Sequence, residues 1–322
     1  MIQRKQGLGW SDVDFDTQDI TLLPTLDTPK TKKPYYQQWY LCWNIHVPLL
    51  LGAWLLLFTL GELGASRYAV HSCSWANIDQ HEHRLVVIAD PQLTDYYSYG
   101  MARGSWTLAL TEFYSDLFMR RNFQQITRMH TPPDSVLVLG DIFDGGRILD
   151  AEAHTKHRDR FNWIFDTGRQ SIQFYNMTGN HDVGIREWYS DEAAKKFQEQ
   201  FGPSQYTVVL GHVELVVIDT IAMLSSNSTV RDAALEFVKT YGSMKSKHNY
   251  PRLLFTHIPL YRPNQGATCG PSRHSPIKQG QGVSYQNVIP KQTTDFILAM
   301  IEPAHVFRCI FLVLDALCEK SE

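Results

Sequence analysis

From Leu41 to Leu63 the chain reads LCWNIHVPLLLGAWLLLFTLGEL, with a single charge, Glu62, near its end. As a helix rising 1.5 Å per residue this run is roughly 35 Å long, enough to cross a bilayer core of about 30 Å. The stretch Val47 to Leu60 has no polar face, which argues against a buried core helix. It begins too far from the N-terminus for a signal peptide and lacks a small-residue cleavage site. Residues 41–63 are therefore expected to form one transmembrane anchor. Lys30, Lys32 and Lys33 precede it, whereas the next 20 residues hold only Arg67. By the positive-inside tendency the N-terminus is cytoplasmic and the remainder lumenal or extracellular. Residues 1–40, with Pro24, Pro29 and Pro34 and no periodicity, read as a disordered cytoplasmic tail, and 64–83 as a lumenal stalk.

Beyond the stalk, buried strands alternate with helices. RLVVIAD gives a strand over Leu85 to Ala89 that ends on Asp90. Trp106 to Met129 carries a helical pattern, with Leu110, Phe113, Tyr114 and Leu117 at i, i+3, i+4 and i+7. SVLVLGD gives a strand ending on Asp141, Ala153 to Phe165 a helix, and SIQFYNMTGNHD a third strand with its loop. YTVVLGHVELVVIDT predicts a hairpin around Gly211–His212. A helix near Val230 to Tyr241, the strand RLLFTHIP, a polar loop from Tyr261 to Asn287 and a helix from Thr293 to Ile301 complete the pattern. Such alternation predicts an α/β layered sheet.

Composition changes this picture little. A net charge of −3 offers no nucleic-acid footprint. Five cysteines, Cys42, Cys73, Cys269, Cys309 and Cys318, form no C-x-x-C pair, which disfavours a thiolate zinc site and leaves any disulfide pairing open. Asn227 in NST is a glycosylation acceptor suited to a lumenal domain, whereas Asn176 in NMT reads as too enclosed to be modified.

The chemistry gathers at the strand ends. Asp90 with Gln92, Asp141 with Asp144, Asn180 with His181 and Asp182, and His257 all follow apolar strands, on the edge where open α/β sheets place ligands. Oxygen donors outnumber nitrogen donors and thiolate is absent, which suits Mn²⁺, Fe²⁺ or Mg²⁺ at least as well as Zn²⁺. Asp141, behind a glycine, has clearance to bridge two cations, which would clamp an in-line displacement at phosphorus. Asn180 reads as a metal ligand, His181 as the acid that protonates the leaving oxygen, and Asp182 as the group that fixes the His181 ring. Arg147 and Arg262 are candidates for gripping phosphate, though a surface ion pair serves nearly as well. Asp95 reads equally as a turn residue or an outer ligand. His81, His83, His154 and His157 read as solvated.

The series DPQ, GDIFDGG, GNHD and THIP resembles the calcineurin-like metallophosphoesterase superfamily. More narrowly, ADPQLTD with YSYG, LGDIFDGGR, GNHDVG and HIPLYRP are similar to the membrane-bound phosphoesterases that remodel GPI anchors, in fungal cell-division-control and animal post-GPI-attachment forms. The resemblance covers Arg84 to Phe307 and implies a β-sandwich flanked by helices, preceded by one transmembrane helix. It also implies two divalent metal ions, manganese first, with Fe²⁺ or Zn²⁺ as alternatives. Asp90 would ligate the first metal, with Gln92 where the wider superfamily has histidine. Asp141 would bridge, and Asn180 and His257 would hold the second metal. The implied reaction releases ethanolamine phosphate from a GPI mannose in the endoplasmic reticulum or Golgi membrane, with GPI lipid or GPI-anchored proteins as substrate and no nucleic-acid partner.

One departure stands out. The family's late glycine-histidine loop should follow the strand near AHVF, 304–307, but the chain continues RCIFLVLDALCEKSE, and His305 reads as preceding that strand. Residues 308–322 are thus expected to be non-family sequence, as from a misread splice junction or frameshift, and the domain 84–307 to be incomplete. On that expectation metal is held weakly and turnover is small. Two alternatives follow: another phosphatase or nucleotide diesterase of the superfamily, or an inactive membrane-tethered binding protein.

Overall fold

The computed structural model describes residues 35–72, 75, 82–129, 131–168, 172–244, 249–261, 280–282 and 285–308. All five cysteine side chains and Arg262 lie outside them, as do residues 309–322. The chain divides into an N-terminal unit up to Phe58 and a larger unit from Thr59.

Helix α1 spans Tyr35–Thr59. A π-helical turn over Leu60–Ala65 and helix α2, Ser66–Ser72, follow it without a break. Trp43–Ser72 is a 30-residue helical stretch long and apolar enough to cross a membrane, and its apolar window is unburied. Two boundaries differ from expectation. The helix begins at Tyr35, within the region read as a tail, and the first part of the expected stalk is helical. The second difference has a local cause, since no proline interrupts Leu60 to Ser72 and two polar side chains there find partners. Arg121 Nη2 reaches Glu62 Oε2 at 3.2 Å, and Gln125 Nε2 donates to Ser66 Oγ at 3.1 Å.

The larger unit is an α/β sandwich. Strands β1 (Leu85–Ile88), β2 (Ser135–Val138) and β3 (Gln173–Asn176) form a parallel sheet in the order β1-β2-β3. Strands β4 (Tyr206–Leu210), β5 (Val213–Ile218), β6 (Arg252–Thr256) and β7 (His305–Arg308) form a second sheet in chain order. Among the described strands only β4 and β5 pair antiparallel, turning at Gly211 with φ +58°. Strand alternation sorts the core. Leu137 and Leu139 pack with Leu215, Val217 and Phe255 of the other sheet. Val136 and Val138 belong instead with Phe123, Phe161 and Phe165, and Val216, Ile218 and Leu254 with Ala234, Val238 and Ile297. Burying each such side chain contributes about 1.5–3 kcal/mol.

The helices that supply those partners are α3 (Trp106–Thr127), α4 (Ala151–Ile164), α8 (Ser228–Ser243) and α9 (Lys291–Ile301). Ser105, Asp150 and Asn227 cap the first three by accepting N–H groups of Leu108, Ala153 and Thr229. Single turns α5 (Asn180–Val183) and α7 (Thr220–Met223) follow β3 and β5. Helix α6, Asp191–Phe201, was not legible: only Ala193 and Phe197 of DEAAKKFQEQF are buried.

Two expectations are corrected here, and one face takes an unexpected exposure. His154 and His157 are buried rather than solvated, because both lie on the inward face of α4 three residues apart. His154 Nδ1 meets Gln200 Oε1 at 2.8 Å, and His157 Nδ1 lies 2.7 Å from Arg160 Nη1. Burial and the Arg160 charge drive His157 down to about 3. His305 begins β7 rather than preceding it, paired with Leu253 and exposed. On α3 the apolar stripe faces outward: Leu110, Phe113, Tyr114 and Leu117 are 46%, 57%, 62% and 41% exposed. The buried face of α3 carries Leu108, Asp116, Phe123 and Thr127 instead. Asn176 is buried in β3, its Nδ2 donating to Phe201 O, while Asn227 is exposed at the start of α8.

Candidate metal centre

Parallel register brings the carboxyl ends of β1, β2 and β3 level, with Ile88 opposite Val138 and Val138 opposite Asn176. The sequence then leaves the ladder sharply. Asp90, Gln92 and Asp141 adopt φ of +47°, +39° and +50°, a left-handed region that non-glycine residues seldom enter. Each is held there by its surroundings. Gln92 N and Leu93 N donate to Asp141 O and Ile142 O, both at 2.9 Å, so the two loops run on side by side past the kink. Asp95, fully buried, accepts from Gly145 N at 2.9 Å and Tyr97 N at 2.7 Å. It thus ties these loops together.

Glycine is required where these loops touch. Gly140 has φ +86°, and a Cβ there would lie 2.8 Å from His257 Nδ1 and 2.7 Å from Gly179 N. A Cβ on Gly179 would collide with the Asp141 carboxylate. The glycines flanking the predicted ligands let four strand ends converge.

At the convergence, ligand atoms of Asp90, Asp141 and His257 lie within 4.8 Å of one another. His257 Nδ1 is 2.7 Å from Leu139 O, an acceptor only, so Nδ1 carries the proton. The lone pair of the neutral ring is then on Nε2, which faces Asn180 Oδ1 at 3.2 Å and Asp141 Oδ1 at 3.5 Å. Three acceptors turned on one point in a buried space call for a positive charge between them. Burial disfavours the imidazolium of His257, but Asp141 and Asp90 outweigh it and raise its pKa, which reports the same demand. A histidine that donates through one nitrogen to a backbone carbonyl and aims the other at carboxylates is arranged as metal-binding histidines are. The donor set, oxygen-rich with one imidazole nitrogen, fits a hard or intermediate divalent cation. Gln92 reaches the group through its amide, Nε2 donating to Asp141 Oδ2 at 3.2 Å.

His181 stands beside this group. Its backbone N donates to Asp141 Oδ1 at 2.8 Å, while its ring turns away to Asp144, with Nδ1 2.7 Å from Asp144 O and 2.8 Å from Asp144 Oδ1. Burial opposes charge on the ring, but the Asp144 hydrogen bond and the Asp141 charge prevail and hold it up at about 9. Its side chain is 27% exposed, against 5% for His257, so solvent can reach it.

The expectation that Asp182 fixes the His181 ring is corrected. Asp182 accepts from Ile142 N at 3.2 Å, Phe143 N at 3.0 Å and Gly179 N at 2.9 Å, and so binds the β2 loop to the β3 loop. Burial and the neighbouring Asp141 push it up to about 7. Successive residues of a helical turn diverge by 100°, so Asp182 cannot follow His181 to the same partner. Asp144, paired with Asp141 in GDIFD, carried the only sequence signal for the true ring partner. Arg147 donates to Tyr97 Oη at 2.6 Å, and its buried Nη1 has no hydrogen-bond partner among the described residues.

A family profile described as Calcineurin-like phosphoesterase matches residues 83–286, which contain every candidate residue named above. Among curated proteins, Cell division control protein 1 of Saccharomyces cerevisiae is 31% identical over 262 residues, covering 79% of this chain and 52% of that protein. Metallophosphoesterase 1 of Rattus norvegicus is 27% identical over 232 residues, covering 66% and 57%. Its Drosophila melanogaster homolog is 25% identical over 267 residues, covering 76% and 69%. The chain thus spans little more than half the length of the first two. A profile match across most of the larger unit, together with aspartates, asparagine and histidines meeting at the sheet ends, places this chain in the calcineurin-like phosphoesterase family.

Proposed function

We propose that this chain is a membrane-anchored metal-dependent phosphodiesterase of the secretory pathway that removes ethanolamine phosphate from a mannose of a GPI anchor. The observation that carries the catalytic half is the buried convergence of His257 Nε2, Asn180 Oδ1 and Asp141 Oδ1 beside Asp90. The substrate half is supported by the resemblance to GPI-remodelling enzymes and by the helix long and apolar enough to hold the domain at a membrane. The catalytic domain would be lumenal, in the endoplasmic reticulum or Golgi, and Asn227 is exposed for glycosylation.

Asp90, Asp141, Asn180 and His257 would hold two divalent cations, manganese first. These would supply Lewis acidity to a phosphate ester and acidify a water molecule. The protein's own groups do the rest. Water attacks phosphorus in line, the P–O bond to the sugar breaks, and His181 delivers a proton to the departing oxygen. Asp144 keeps that ring aimed, and Arg147 is assigned to a phosphoryl oxygen on its sequence position. Arg262 is assigned the same role on sequence alone.

Incubating the full chain in vesicles with Mn²⁺ and separate GPI and nucleotide substrates tests the reading. Ethanolamine phosphate should appear from the glycolipid. Turnover of nucleotides alone would point to another member of the superfamily, and two bound equivalents of metal without hydrolysis to a binding protein. The acid role has its own test. Asp144→Asn removes the largest support for the charged His181 ring, so its pKa falls and the alkaline limb of kcat/KM moves to lower pH. A pH profile superimposable on the parent's would exclude His181 as the acid.

A further inference from the structure

We propose that the outward face of α3 is a bilayer-interface surface, so that the larger unit lies against the membrane its own helix crosses. Along this face Trp106, Leu110, Phe113, Tyr114, Leu117 and Phe118 are between 41% and 76% exposed. Their spacing of three and four residues puts them in one stripe, about 18 Å long at the helical rise. The acidic residues of the same turns face away: Asp116 is buried, and both Asp116 and Glu112 are held by Arg160. What remains is an uncharged face rich in tryptophan, tyrosine and phenylalanine, the composition that settles at the headgroup level of a membrane.

A second observation names the occupant. Arg121 follows Leu117 by four residues and Tyr114 by seven, and Gln125 follows Phe118 by seven, so both continue the stripe. Arg121 holds Glu62 and Gln125 holds Ser66, in the last turns of the Trp43–Ser72 stretch. Glu62 and Ser66 are four residues apart, as are Arg121 and Gln125, so the two helices run parallel here. The chain emerging from the apolar helix therefore lies on the very face of α3 that bears the stripe. A lipid surface is accordingly the partner nearest to hand. At its N-terminal end α3 is connected along the chain, through residues 95–105, to the segment that begins at Asp90.

The proposal rests on the membrane-spanning reading of the apolar helix but not on the choice of substrate. The experiment therefore needs no turnover. The full chain is reconstituted in phosphatidylcholine vesicles carrying a labelled acyl chain, with p-benzoylphenylalanine at position 113 or 117 in place of Phe113 or Leu117. A third version carries it at Glu236, exposed on α8. Illumination should attach lipid label at positions 113 and 117 several-fold above position 236, in proteins that melt as the parent does. Equal labelling at the three positions would overturn the proposal. So would crosslinks from 113 and 117 to a second copy, or to the chain's own apolar helix, in place of lipid.

Discussion

Replacing Asp141 by alanine should abolish divalent-cation retention and lower phosphoester hydrolysis by about a thousandfold, the equivalent of about 4 kcal/mol of lost transition-state stabilisation. Asp141 serves several functions at once. One oxygen accepts the His181 backbone N–H at 2.8 Å and stands 3.5 Å from His257 Nε2, and the other accepts from Gln92. Its removal takes away the residue expected to bridge the metals, the acceptor of the His181 backbone N–H and one of the two carboxylates that converge on His257. Asp141→Asn keeps the volume and one acceptor oxygen, so it should retain the fold while losing the metal. Metal analysis after gel filtration, beside a melting curve, checks both. Retention of two equivalents by Asp141→Asn would show that Asp141 is no bridge.

A second large effect is expected from Asp182→Ala, of a different kind. The side chain satisfies three buried backbone N–H groups at once, and leaving each unpaired costs about 1–3 kcal/mol. A loss of at least about 3 kcal/mol should lower Tm by about 6–12 °C in a domain of this size. The β2 and β3 loops would part, so metal affinity should fall with stability although Asp182 is not assigned as a ligand. Unchanged melting of the purified full chain would mean these hydrogen bonds do not hold the loops.

Much of this was readable because polarity in the chain is punctuated. Buried parallel strands leave unbroken apolar runs, and the first polar residue after each run marks the strand end. Asp90, Asp141, Asn180 and His257 were found in that way, and the structure brings them to one end of the sandwich. What failed had physical causes. Periodicity reveals that α3 has an apolar face, but not whether that face meets a core, so its exposure was not readable from the sequence. Helix α6 hides behind its charges because two buried side chains suffice to seat it. The choice of Asp182 over Asp144 relied on adjacency in sequence, which a helical turn converts into divergence. His154 and His157 carry polar rings, and nothing in their spacing announced that Gln200 and Arg160 would satisfy them.

The parallel pairing of β1 with β2 resumes after Asp90 and Asp141, at Leu93 and Phe143. Asp90 and Asp141 are therefore pinned on both flanks, not carried on free-swinging loops. So pinned, the two aspartates need little reordering to meet a cation. Capture should then be limited by encounter and the shedding of hydration water, with little contribution from slow rearrangement of the polypeptide. Amide exchange in this region should accordingly change little between the ion-free and ion-loaded protein.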